Sequence, residues 1–216
     1  MLSSRRPRFA AALALAVFSL IAAFALAAEP VPERYYFELK AITPKPELKP
    51  DAVNMATPRV LSELEKTFAH HAQIVAKLER APDPKLDPQG YRSYLDKLQI
   101  AGAFNVTVEI TDATETFAPM ADKPGAQVHE IRLALRMLGA HIPDDTLGFT
   151  GRGKASVKEE VSEKPSEHAR QETWDQLTEL AVSQALKTAL EELTIAAKNK
   201  PKPKFKPKPP KQAAPH

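Results

Sequence analysis

The sequence predicts an α+β fold, with an antiparallel or mixed sheet carrying a long β-hairpin, helices packed on one sheet face, and a long C-terminal helix. Three patterns carry this expectation. Residues 128–161 hold two runs that alternate apolar and polar side chains with period two around a turn-rich hexapeptide. Residues 169–196 hold a broad apolar stripe with helical spacing. Ahead of both, two Thr-Pro or Asp-Pro pairs each open an amphipathic helical pattern that follows or precedes a β-rich run.

The elements follow in chain order. Glu33 to Thr43 is rich in aromatic and β-branched residues, places Tyr35, Phe37, Leu39 and Ala41 on one face and stops at Pro44 and Pro46, which reads as a strand. Thr57-Pro58 is a cap and first-turn pair, and Val60, Leu61, Leu64 and Phe68 recur with helical spacing to about His70, so a helix is predicted over that range. Gln73 to Leu78 continues that helix or forms a short strand; six residues do not decide by periodicity. Asp87-Pro88 repeats the cap signature, Tyr91, Tyr94, Leu95 and Leu98 form an apolar face, and Gly102 is expected to close the helix. Ala103 to Thr111 then alternates Phe104, Val106, Val108 and Ile110 inward, the pattern of a half-buried strand.

The hairpin is the firmest reading. Ile131, Leu133, Leu135 and Met137 share one face, as do Leu147, Phe149, Ala155, Val157 and Val161 across the His141–Thr146 turn. The opposite face is expected to be wet and basic, bearing Arg132, Arg136, Arg152, Lys154 and Lys158. In the last helix Trp174, Leu177, Ala181, Val182, Ala185, Leu186, Ala189 and Leu193 form a stripe that must pack on the sheet.

The ends of the chain differ from its middle. Arg5, Arg6 and Arg8 precede a run from Phe9 to Ala28 in which Ser19 alone is polar, ending in Ala25-Leu26-Ala27. This reads as a secretory signal over residues 1–27, cleaved before Ala28; the run is also long enough to span a bilayer, so an uncleaved anchor is the alternative. A single domain is expected over 28–197, and 198–216 form a Lys/Pro-rich tail. Outside the leader arginines and the seven lysines of Lys198–Lys211, 20 basic residues face all 27 acidic ones, so the net charge of +3 conceals a core of −7. Alternating lysine and proline favours an extended, unfolded chain with no place in a core. Lys200, Lys202, Lys204, Lys206, Lys208 and Lys211 are therefore candidates for contact with an anionic surface polymer. Phe205 is the one aromatic among them, too little stacking surface for specific nucleic-acid binding.

No reaction is picked out. The chain has no cysteine, which excludes disulfides, thiolate nucleophiles and cysteine-ligated metal. Gly148 to Ser156 approaches a phosphate-binding loop, but Ala155 stands where the hydroxyl belongs and the segment lies inside an alternating strand. Its glycines are expected to mark a bulge or the close approach of another backbone. His70-His71, read as helix-end polar residues, point about 100° apart on a helix. Asp144-Asp145 is read as a source of turn hydrogen bonds.

The hairpin IRLALRMLGAHIPDDTLGFTGRGKASV and the closing helix AVSQALKTALEEL resemble those of the small periplasmic domains of the curli-secretion lipoprotein, the penicillin-binding-protein activator lipoprotein and the Tol translocation protein amino-terminal type. The resemblance spans roughly Arg34 to Leu193 and implies a noncatalytic binding or assembly role in the cell envelope; the lipid-accepting cysteine of those relatives is missing.

The sequence expectation is thus an exported, noncatalytic envelope protein, periplasmic or secreted, without cofactor and without a membrane span after leader removal. Its partners would be another envelope protein, met through Arg132, Arg136, Arg152 and Lys154, and an anionic cell-surface polymer, met by the tail. Two alternatives stand beside it. One is a cofactor-free or metal-dependent hydrolase whose His129, His141 and Asp144 converge on folding; the other is a polymer-binding protein acting mainly through its tail.

Overall fold

A computed structural model describes residues 32–162 and 166–199; the expected signal segment over 1–27, positions 163–165 and the tail lysines from Lys200 onward lie outside the described residues. The elements run β1 (Arg34–Pro44), α1 (Pro50–His70), β2 (Ile74–Val75), α2 (Pro88–Lys97), β3 (Ile100–Pro119), β4 (Ala126–His141), β5 (Leu147–Ser162) and α3 (Glu167–Asn199). The strands form one mixed sheet in the order β2-β1-β3-β4-β5. β1 lies parallel to both β2 and β3, whereas β3-β4 and β4-β5 are antiparallel.

Alternation explains the layers. Odd residues of β4 and β5, including Ile131, Leu133, Leu135, Met137 and Phe149, face a core shared with Val60, Leu64 and Phe68 of α1 and Trp174, Leu177 and Ala185 of α3. At its centre the rings of Phe37 and Phe149 stack at 5.1 Å while Phe104 meets Phe149 edge-on at 5.2 Å. A side chain at Gly139 would collide with Phe149, since its Cβ would lie 2.0 Å from the ring; the bare backbone there makes room for the ring to lie across the neighbouring strand. Helices α1 and α3 thus take the face expected for them. The shorter α2 covers one end of the other face, where Tyr91 and Leu95 pack on Ile100 and Ala103.

Three local readings change. Helix α1 starts at Pro50 rather than at Thr57, and Pro58 sits inside it. The helix tolerates this proline because Pro58 and Asn54, whose carbonyl loses its donor, are both exposed to water. Gly102 does not close α2: the chain turns at Gln99, with φ 56°, and Gly102 already lies in β3. β3 continues past Thr111 to Pro119, with a register shift between Ile110 and Asp112 that marks a bulge. The ambiguous segment after α1 is the two-residue strand β2. Asp87 caps α2 as expected, accepting a bond from the Gly90 N–H at 2.8 Å.

The edge strand β5 is sealed by α3. The N–H groups of Thr150, Arg152 and Lys154 donate to Glu192 Oε2 (2.7 Å), Thr188 Oγ1 (2.7 Å) and Gln184 Oε1 (2.8 Å). Two strand residues advance about 6.8 Å and four helical residues about 6 Å, so side chains four apart on the helix meet successive outward amides of the strand. Glycine permits this approach, because a Cβ at Gly151 or Gly153 would lie 2.2 or 1.8 Å from the carbonyl oxygens of Ala185 or Ala181. Two of the glycines that imitate a phosphate loop, Gly151 and Gly153, are therefore the seat of a helix backbone.

Two tyrosines give the fold an alkaline limit. Burial, with the nearby Tyr36 and Glu38, pushes the Tyr91 hydroxyl up to about 12, and burial with Glu33 also raises Tyr35. A pKa raised on folding contributes stability that is complete below the ordinary tyrosine value near 10 and is lost as pH rises through the folded value. The thermal midpoint is expected to hold up to about pH 10 and to fall between about 10 and 12, with Tyr91→Phe removing part of that fall; circular dichroism melts across this range check it, and an unchanged slope in Tyr91→Phe would contradict it.

Candidate functional site

The even residues of β4 and β5 point away from the core, and among the described residues no helix covers this part of the sheet. Arg132, Arg136, Arg152 and Lys154 all lie exposed on that open face, as the alternation predicts. The register adds what spacing could not. Arg136 stands directly opposite Arg152, Ala134 opposite Lys154, and Arg132 opposite Ser156. Two like charges in one cross-strand pair oppose folding modestly, so the sheet carries the Arg136–Arg152 pair at a cost. Arg136 reaches Glu109 of β3 at 3.8 Å, and Arg132 reaches Glu130 at 3.6 Å. Arg152 and Lys154 form no ion pair with a described residue.

A second cluster of charges is buried at the far end of the sheet. His129, 1% exposed, faces inward from β4 and lies flat on Phe117, with ring centroids 4.4 Å apart. Its Nε2 is 2.9 Å from Glu115 Oε1 and its Nδ1 3.2 Å from Glu159 Oε1. Glu115 also receives a two-pronged bond from Arg170 of α3, Nε to Oε1 at 2.7 Å and Nη2 to Oε2 at 2.5 Å. Burial pushes the Glu115 carboxyl upward, but Arg170 and His129 outweigh it and hold the group below the usual carboxylate range. The Trp174 indole N–H faces the same carboxylate and helps to lower it, without the geometry of an ordinary hydrogen bond. The cluster ties the first turn of α3 to β3, β4 and β5. Glu115 and Arg170 were not singled out from the sequence, because the even parity of Phe104 to Ile110 sets Glu115 outward until the bulge after Ile110 turns it in.

The postulated hydrolase constellation is not assembled. His129 and His141 lie 12 positions apart on the single strand β4, about 40 Å at the rise of an extended chain, far beyond the reach of one substrate. The His141 ring lies tilted against Phe104, with centroids 4.6 Å apart, and Asp145 accepts from Asn105 at 3.4 Å, with its own N–H bonded to the His141 carbonyl. His70 Nδ1 lies 2.7 Å from the Lys66 carbonyl, and His71 Nδ1 accepts from the Gln73 N–H, so both act at the end of α1. Among the described residues no three His, Asp or Glu side chains are placed to hold a metal ion, and no helix is long and apolar enough to cross a membrane.

No family model matches the chain, and no curated protein matches it. Solved structures do resemble it in the course of the backbone. A protein from Xanthomonas campestris aligns over 80% of this chain and 91% of its own, with 11% identity and a TM-score of 0.39. An uncharacterised lipoprotein from Nitrosomonas europaea covers 77% and 90% of the two chains at 13% identity and a TM-score of 0.35. A lipoprotein from Neisseria meningitidis covers 64% and 91% at 11% identity and 0.33. With TM-scores below 0.5, no property of those proteins passes to this chain.

Proposed function

We propose that this chain is an exported, noncatalytic module of the cell envelope, periplasmic or secreted, whose core docks another envelope protein through the open basic face of the β4–β5 hairpin. The observation that carries this reading is the uncovered Arg136–Arg152 cross-strand pair with Lys154 beside it. Charges kept opposed and without full pairing weaken the fold modestly and complement a partner surface of opposite sign. The apolar leader supports export, and the hairpin and closing helix that resemble small periplasmic assembly domains point the same way. The lysines from Lys200 to Lys211 engage an anionic surface as an accessory contact.

Cross-linked co-purification from the native envelope tests the proposal, comparing the chain from Ala28 with a version ending at Ala197, at low and at physiological salt. A defined protein partner retained by the shortened chain is the expected result. Recovery of anionic polymer alone, lost with the tail or with added salt, would make the tail the functional part and overturn the reading, because polyelectrolyte contacts weaken steeply with salt.

A further inference from the structure

The Arg136–Arg152 pair lines a shallow depression of about 420 Å³ on the open face, together with Lys45, Lys154, Glu109 and Ala134. Four cations and one carboxylate line it. The carboxylate, Glu109, is held by Arg136 at the long distance of 3.8 Å, while Lys45, Arg152 and Lys154 have no ion-pair partner among the described residues. Ala134, between Arg132 and Arg136 on β4, keeps the floor low.

The spacing of these cations is that of a β-strand. Arg152 and Lys154 are one pleat apart on β5, about 6.8 Å, and Arg136 stands across from Arg152 at about 5 Å. An extended polypeptide presents every second side chain at the same repeat of about 6.8 Å, so carboxylates at alternate positions of a segment running along β5 reach Arg152 and Lys154 in turn, and Arg136, beside Arg152, adds a second cation to the first of them. The lining includes no aromatic ring on which a base could stack, and no helix begins in it to offer the converging N–H groups that phosphate sites use.

From this we infer that the depression docks an extended acidic segment of the partner protein, with one glutamate or aspartate held between Arg136 and Arg152, displacing Glu109 from Arg136, and the next, two residues on, meeting Lys154. The inference rests on the open face being a protein interface and names the chemistry of what lies there.

The probe is a fluorescent octapeptide alternating glutamate and threonine, titrated by anisotropy against the chain from Ala28 to His216, with tail present. Because the tail is common to all variants, differences between them report the depression alone. Arg152→Gln and Arg136→Gln should each weaken binding roughly tenfold. Glu109→Gln should strengthen it several-fold, since it removes the competing carboxylate. Melting curves confirm that these exposed changes leave the fold intact. Equal affinity across the variants overturns the inference, as does inorganic polyphosphate binding more tightly through the same residues. A photo-cross-linking residue at Ser156, exposed opposite Arg132, separates the two levels. A protein cross-linked there in the native envelope, with peptide affinities unmoved, refutes the acidic segment and leaves the interface standing; neither signal refutes both.

Discussion

Glu115→Ala is expected to lower stability by about 3 kcal/mol at neutral pH, as read from urea unfolding. The side chain is 9% exposed and meets both prongs of Arg170 and the Nε2 of His129. Removing it takes both prongs' acceptor from the Arg170 guanidinium and leaves the inward His129 with Glu159 alone, and breaking one side of a buried pair costs about 3 to 5 kcal/mol. The lower end applies because Arg170 keeps 28% of its side chain exposed and can turn to Glu167, already at 3.3 Å, or to water. The pH dependence has a definite sign. A carboxyl whose pKa is lowered on folding contributes stability that is present above its unfolded value and lost as pH falls through its folded value. Acidification below the usual carboxylate range should therefore destabilise the chain, and Glu115→Gln should lose part of that dependence. A cost under about 1 kcal/mol for Glu115→Ala would mean that the cluster is a solvated surface network and not a buried tie.

The same residue explains where the sequence stopped being readable. The β4–β5 hairpin and α3 were legible because their periods run unbroken, from Ile131 to Met137 and from Trp174 to Leu193. The second half of β3 was not, because the bulge after Ile110 shifts the inward phase and Glu115 then occupies an inward position where an apolar residue is expected. Only the register, which sets Phe117 against His129, and the first turn of α3, which brings Arg170, make that glutamate intelligible. His129 stood out in the sequence for its imidazole alone, as a member of a possible catalytic set, because its carboxylate partners lie 14 and 30 residues away. On the open face the basic residues followed from strand parity alone, whereas the opposition of Arg136 and Arg152 needed the pairing. The start of α1 was misread because Thr57-Pro58 carries the same cap signature that Asp87-Pro88 carries correctly; an exposed interior proline and a first-turn proline look alike until the preceding carbonyl can be located.

Gly153→Val is expected to destabilise the chain by about 4 kcal/mol and to make it self-associate. The new Cβ would lie 1.8 Å from the Ala181 carbonyl oxygen and 2.8 Å from the Ala185 nitrogen. Both are backbone atoms of α3, so no side chain can swing aside, and the helix itself must move outward. Overpacking of a seated element costs about 1 to 3 kcal/mol. Displacement also stretches the bonds from the Arg152 and Lys154 N–H groups to Thr188 and Gln184, each net worth about 1 kcal/mol. The freed edge then offers a row of unpaired amides to another chain, the condition that leads sheets to associate. Val has the higher strand propensity, so a reading in which β5 is an ordinary edge predicts neutrality or gain, and the two accounts differ in sign. Ser156→Val, on the exposed face of the same strand, serves as the comparison and should stay within about 0.5 kcal/mol of the parent. Urea unfolding with light scattering at the same concentrations decides between them: a Gly153→Val chain as stable and as monodisperse as Ser156→Val would mean that α3 does not sit on β5.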